Sequence, residues 1–190
     1  QHLGYKGEDT RVEIGDNNIF RECVTIHRGT AQGHGKTTIG SGCLLMAYAH
    51  VAHDCTVGNR VIMANSVNLA GHVEVGACAV ISGMAAVQQW LKIGEYAFLG
   101  GCSAIRQDVP PYVRVAGDPA RNLGLNVVGL RRNEFSSETI HALQHACRIV
   151  FSRTLNTSQA LEQLEQEASP VPEVQRFRAF IQRSTRGVTK

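Results

Sequence analysis

No apolar run in these 190 residues approaches the roughly 18 that a membrane span requires. Neither a C-x-x-C pair nor a zinc-finger spacing occurs among the six cysteines, Cys23, Cys43, Cys55, Cys78, Cys102 and Cys147. Charged residues are few, at 18% against 43% hydrophobic, a balance that excludes general disorder. The formal net charge of +3 is too small to indicate a nucleic-acid binder. There is no signal-peptide pattern, and the first residue is Gln1 rather than Met. The chain is therefore expected to begin partway into a longer protein. Its cysteines are expected to be reduced packing residues, which points to the cytoplasm.

What is present is a repeat. Every sixth residue from Ile39 is aliphatic: Ile39, Leu45, Val51, Val57, Met63, Leu69, Val75, Ile81, Val87, Ile93, Leu99 and Ile105. These four residue types make up about a quarter of the chain, so twelve successive hits are not chance. Gly follows the aliphatic residue every eighteen positions, at Gly40, Gly58, Gly76 and Gly94. Three six-residue steps per coil define a β-solenoid, the hexapeptide form of the parallel β-helix. With the aliphatic residue as position one, position five is mostly small (Cys43, Ala49, Cys55, Ala79, Ala85). Both positions point into a narrow triangular core, positions six and two face outward, and three and four make the corner. Ile14, Phe20 and Ile26 form an earlier coil, so five coils run from about residue 14 to 110. Residues 30–38 (TAQGHGKTT) break the period and read as a protruding loop.

The repeat ends at Asp108-Val109-Pro110-Pro111. From Arg121 onward apolar residues take helical spacing, as in Ile140, Leu143, Cys147 and Val150, then Val174, Phe177 and Ile181. Residues 1–120 are expected to form the β-helix and 121–190 a helical domain. The formal charge is −1 on the first and +4 on the second, so the tail suits an acidic partner.

The hexad frame gathers four histidines. His53 is position three and Asp54 position four of one hexad; Gly71 and His72 hold those places one coil later, and Gln89 follows Gly71. His27 and His50 precede the same corner. Coils stack at about 4.8 Å, so all four rings come within reach of one ligand. One polar residue at a corner is ordinarily just solvated, whereas four histidines beside an aspartate indicate a site. Histidine suits proton transfer near neutrality. Asp54 could fix the tautomer of His53, and the Gly71 N–H could serve an oxyanion. No Ser or Cys shares the column, which favours direct proton abstraction over a covalent intermediate. A packed prism has no deep pocket, so the corner needs a second molecule to enclose it, most simply in a cyclic trimer.

The segments Thr10–Gly15, Val24–Thr30, His50-x-x-His53-Asp54, Leu69-Ala-Gly-His72, Gln107–Val113 and Arg183–Gly187 resemble the acyl-[acyl-carrier-protein]–UDP-N-acetylglucosamine O-acyltransferases, which begin lipid A biosynthesis. The resemblance spans almost the whole chain. It implies a left-handed helix, a cytoplasmic homotrimer and transfer of a 3-hydroxyacyl group from acyl carrier protein to the 3-hydroxyl of a UDP-amino sugar, with no cofactor and no metal. It implies His53 as general base, Asp54 as its support and the Gly71 amide as oxyanion donor. Gln1, His27, His50, His72 and Gln89 would bind substrate, with Asn126 and Arg132 near the nucleotide. Gly101 would leave room for a long acyl chain, which Phe98 could partly refill.

Five positions depart from that pattern: His2, Gly4, Gln88, Pro119 and Val128 stand where the family has Asp, Lys, His, His and Glu. An N-acyltransferase acting on the 3-amino analogue of the sugar is therefore a second reading. Two readings come from other classes, a zinc-dependent lyase built on clustered histidines and a non-catalytic trimeric scaffold.

Overall fold

The structure, a computed structural model, describes residues 3–190. Its first coil carries β1 (Arg11–Ile14), β2 (Ile19–Phe20) and β3 (Thr25–Ile26), and its second β4 (Lys36–Ile39), β5 (Leu44–Leu45) and β6 (His50–Val51). The third holds β7 (Thr56–Val57), β8 (Ile62–Met63) and β9 (Asn68–Leu69), and the fourth β10 (Glu74–Val75), β11 (Val80–Ile81) and β12 (Ala86–Val87). The last coil adds β13 (Lys92–Ile93), β14 (Phe98–Leu99) and β15 (Ala104–Ile105). Like strands pair in parallel to make the three faces of a prism: sheet A from β1-β4-β7-β10-β13, sheet B from β2-β5-β8-β11-β14, and sheet C from β3-β6-β9-β12-β15. The register is one coil per eighteen residues, as in Val57↔Val75↔Ile93 and Leu69↔Val87↔Ile105.

All twelve aliphatic position-one residues from Ile39 to Ile105 are buried, at 3% exposure or less. The position-five residues from Cys43 to Val109 are buried as tightly, at 2% or less. Two inward side chains per hexad fill a core too narrow for more, which is why a large residue at position one faces a small one at position five. Position four of the corners takes left-handed backbone, from Tyr48 through Asp54, Arg60, Ser66, His72 and onward to Cys102. That conformation is disfavoured for residues with a Cβ, and the ladders above and below impose it at every corner. Its occurrence at Asp54 and His72 is thus a property of the coil and not of the site.

The glycine recurring every eighteen residues has a steric cause. A Cβ on Gly58 would stand 2.8 Å from the Ala77 nitrogen in the next coil. Only a hydrogen fits there while sheet A turns into sheet B.

The period-breaking segment is shorter than the sequence suggests, because Lys36–Thr38 already lie in β4 and extend sheet A against Arg11–Glu13. Its Thr30 and His34 also reach the corner above, where their N–H groups donate to Asp54. Beyond the last coil, β16 (Val113–Gly117) joins sheet B and β17 (Ala120–Leu125) pairs with it antiparallel. Helical spacing sets the change of character at Arg121, yet strand pairing continues to Leu125. Four helices follow: α1 (Val127–Arg132), α2 (Ser137–Val150), α3 (Thr157–Gln166) and α4 (Pro172–Arg183). Ser136 caps α2 through the Thr139 N–H, Asn156 and Gln159 form a capping box on α3, and Pro172 opens α4. Ile140, Leu143 and Val150 of α2 pack with Leu164, Val174, Phe177 and Ile181 in a core continuous with that of the prism.

Candidate active site

The corner where sheet C turns into sheet A follows β6, β9 and β12, and stacks His53-Asp54, Gly71-His72 and Gln89-Trp90 in successive coils. His53 and Asp54 do not point apart, as neighbours at a corner could. His53 Nδ1 donates to Asp54 Oδ2 at 2.9 Å. His53 keeps 24% of its side chain exposed, while the Asp54 side chain has none. The cover over Asp54 is the segment Thr30–Gly35, whose contact with this corner sequence reasoning missed. The Thr30 N–H and hydroxyl donate to the two carboxylate oxygens at 2.9 and 2.7 Å, and the His34 N–H donates at 3.1 Å.

Burial raises a carboxyl pKa and is the largest single influence on Asp54. The donors from Thr30, His53 and His34 together outweigh it and hold the group below its ordinary range. An ionised carboxylate only accepts hydrogen bonds. In the neutral imidazole this places the His53 proton on Nδ1 and the lone pair on Nε2, the tautomer a general base requires.

His72 closes the other side. Its Nε2 lies 3.8 Å from Asp54 Oδ2, and its ring meets that of His53 edge-on at 5.0 Å. Trp90 lies flat against His72, with ring centroids 3.6 Å apart and planes within 4°. Trp90 was not singled out from the sequence, although it lies eighteen residues after His72 and so in the same column. His50 accepts or donates at Nδ1 with Thr25 Oγ1 at 2.8 Å, and its ring meets His27 at 5.1 Å. Burial is the main influence lowering the pKa of both His27 and His50, which favours their neutral forms.

Gly71 sits directly on His53: an added Cβ would stand 2.7 Å from His53 Cε1. Among the described residues nothing accepts a hydrogen bond from the Gly71 N–H. The missing side chain lets the His53 ring pack on the backbone, and the N–H is a donor beside the base. The groove here is shallow, ≈ 360 Å³, and is walled by His50, His53, Asn68, Gly71 and small apolar residues of sheet C.

The other expected residues lie elsewhere in the chain. Gln89 continues the column, exposed. Gly101 is at the corner between sheets B and C, where an added Cβ would be 3.3 Å from Gly83 O. Asn126 is buried; its amide donates to Tyr96 O at 3.0 Å and accepts from the Gly129 N–H, capping α1. Arg132 is exposed at the end of α1. Gln1 lies outside the described residues, as does His2. Cys55, next to Asp54, is no nucleophile: burial pushes its thiol up to about 11, and its Sγ is 3.1 Å from Ala70 O. All six cysteines are free thiols.

One ligand atom from each of His53, Asp54 and His72 lies within 4.8 Å of the others, close enough to surround an ion. The Asp54 oxygens, however, already receive three donors from Thr30 and His34 in addition to His53. That is the setting of a carboxylate that orients a histidine. A concavity of ≈ 1260 Å³ lies away from this chemistry, between the β16–β17 hairpin and α2. Arg114, Arg121, Arg148, Arg153 and Lys190 line it, with no acidic residue.

Residues 36–71 match the six-repeat bacterial transferase hexapeptide, which places the coil in the hexapeptide-repeat class of transferases. Residues 108–189 match the second domain of UDP-N-acetylglucosamine O-acyltransferase. The acyl-[acyl-carrier-protein]–UDP-N-acetylglucosamine O-acyltransferase of Pseudomonas aeruginosa is 50% identical over 188 residues, covering 99% of this chain and 73% of that protein. The solved enzymes of Acinetobacter baumannii and Bacteroides fragilis superpose on 100% of the chain and 74% of their own, with TM-scores of 0.96 and 0.97 at 43% and 41% identity. The chain belongs to the acyl-[acyl-carrier-protein]–UDP-N-acetylglucosamine O-acyltransferase family, and its β-helix is of that family's left-handed kind. Neither the lyase nor the scaffold reading is favoured by these relatives, nor is N-acylation.

Proposed function

We propose that this chain transfers a 3-hydroxyacyl group from acyl carrier protein to the 3-hydroxyl of UDP-N-acetylglucosamine, the first step of lipid A biosynthesis, with His53 as general base. The observation that carries the assignment of the base is the His53–Asp54 pair, its carboxylate sealed from solvent and the imidazole partly exposed and packed against Gly71. His53 Nε2 takes the proton of the sugar hydroxyl as its oxygen attacks the thioester carbonyl. The carbonyl oxygen becomes an oxyanion, and the Gly71 N–H is placed to receive it. The intermediate collapses by breaking the carbon–sulfur bond, and the thiolate takes the proton back from His53. No cofactor is needed, because the thioester is already activated.

The shallow groove at His53 is enclosed when neighbouring copies pack corner to face, so the active unit is a homotrimer in the cytoplasm. His27, His50, His72 and Gln89 bind substrate beside the base, Gln1 is a further substrate-binding residue, Asn126 and Arg132 lie near the nucleotide, and Gly101 bears on acyl length. Acyl carrier protein is acidic, and the arginine-lined concavity beside α2 offers it a surface of opposite charge. That concavity continues sheet B whereas His53 lies between sheets C and A, so a carrier seated there serves a site shared with another copy.

The test is a mass-spectrometric acylation assay with 3-hydroxyacyl carrier proteins of several lengths. UDP-N-acetylglucosamine is expected to be acylated, and His53→Ala to lose about 10²–10⁴-fold in kcat with the trimer intact. Undiminished turnover by His53→Ala would remove His53 as the base, and preference for the 3-amino analogue would replace the acceptor.

A further inference from the structure

We infer that the segment from Thr30 to His34 is a clamp that sets the protonation geometry of the base, with Thr30 as a positioning residue acting through Asp54. The inference rests on His53 being the base and assigns work to the one place where the repeat fails.

After Ile26 the hexad period calls for an aliphatic residue at position 32, but Gln32 stands there and the repeat resumes only at Ile39, out of the earlier frame. The extra residues fall at the corner of the first coil, directly below His53 and Asp54 in the stack. There the chain supplies backbone and hydroxyl donors in place of an ordinary corner. Thr30 donates to both carboxylate oxygens and the His34 N–H reinforces one of them. The Gly33 N–H donates to Thr30 Oγ1 at 3.1 Å, so the hydroxyl accepts from the loop and its own proton is directed at Asp54. A side chain on Gly33 would collide with the carboxyl group, so only glycine lets the backbone close over it. The turn is held by the Gly33 and Gly35 N–H groups on Thr30 O, both at 3.1 Å. From below, Thr37 Oγ1 accepts the Asp54 N–H at 2.8 Å. Thr30 and Thr37 are 5% and 0% exposed, so these bonds do not compete with water.

The consequence is chemical. A buried carboxylate without those donors would share or take up a proton and would bind the His53 proton more strongly. With them it stays ionised and accepts from Nδ1, so one imidazole tautomer is present and Nε2 is the base. Thr30 need not touch substrate to affect the chemical step.

The experiment compares Thr30→Val, which keeps the shape and removes the hydroxyl, with Thr30→Ser, which restores it. Thr30→Val is expected to lower kcat about 10- to 100-fold, the effect of losing a hydrogen bond to a charged group. KM for carrier protein and sugar nucleotide should stay within about twofold. The acid limb of its kcat/KM profile should move to higher pH, because Asp54 left with fewer donors holds the His53 proton more tightly. Thr30→Ser should recover most of both. The imidazole ¹⁵N resonances of His53, assigned by their loss in His53→Gln, should show the Nδ1–H tautomer in the native protein, and their pH midpoint should move upward in Thr30→Val. That spectrum does not depend on turnover: if His53→Ala is active while the midpoint still follows Thr30, the clamp stands and the base is another group. Gly33→Ala, which displaces the loop without altering a donor side chain, should match Thr30→Val and replaces it if that variant does not fold. A native kcat, pH profile and ¹⁵N spectrum in the folded Thr30→Val or Gly33→Ala protein would overturn the inference.

Discussion

Trp90 is the only tryptophan in the chain, and it lies flat on His72 at the edge of the His53–Asp54 pair. A ring lying flat on an indole keeps that face from water. Intrinsic fluorescence at fixed pH is therefore expected to change in His72→Ala, which removes the stacked ring, and an identical emission from both proteins would show that the stack is not kept in solution. A second consequence of the corner concerns stability. His27 and His50 have lowered pKa values in the folded chain, mainly through burial, whereas the unfolded imidazoles titrate at about 6.5. Below that pH the unfolded chain binds more protons than the folded one, so stability falls as pH drops towards the lowered folded values. Thermal denaturation from pH 7.5 downward should show that slope, and the double variant His27→Asn/His50→Asn should flatten it. Asp54 acts in a separate, more acid window, since its lowered pKa contributes stability that is lost only below about 4. At this scale the hexad arithmetic makes the column legible: residues eighteen apart stack, which pairs Gly71 with His53 and Trp90 with His72. The Thr30 clamp is not legible, because no period relates it to Asp54.

Among the elements, α4 is joined to the prism by polar contacts as well as packing. Tyr112 is fully buried at the corner between sheets A and B; its hydroxyl donates to Glu95, and Arg176 of α4 donates to the same carboxylate at 2.9 Å and to the tyrosine oxygen at 3.1 Å. Glu173 holds the other end of the guanidinium at 2.6 Å. Tyr112→Phe removes one member of this group while keeping the ring, and is expected to cost about 1–3 kcal/mol. Chemical denaturation measures it; a change under about 0.5 kcal/mol would mean that packing alone seats the helix. The strands and α2–α4 follow from spacing and caps. The β17 strand escaped notice because Ala120–Leu125 carries neither the six-residue nor the helical period; it forms because the turn at Gly117–Pro119 returns the chain along the free edge of sheet B.

For the whole molecule, charge is divided unevenly, and Arg121, Arg148, Arg153 and Lys190 of the basic tail line one concavity with Arg114. Replacing Arg121 and Arg148 by Glu is expected to raise KM for acyl carrier protein about tenfold or more, leave KM for the sugar nucleotide unchanged and weaken the salt dependence. Equal rises in both KM values would place the carrier elsewhere. The prism and its core are determined by the sequence alone, because a strict six-residue period admits one way to bury two side chains per step, and that period also sets which corner residues stack. Tertiary structure decided what covers Asp54, how Asp108 ties the last coil to Ser184 and the Gly187–Thr189 backbone, and how the arginines of β16, β17 and α2 meet. These contacts join segments with no common period, and a neighbouring bond from Thr189 Oγ1 to Gln107 O spans 82 residues. The physical reason is that their partners are chosen by leftover donors and charge once the coil has formed.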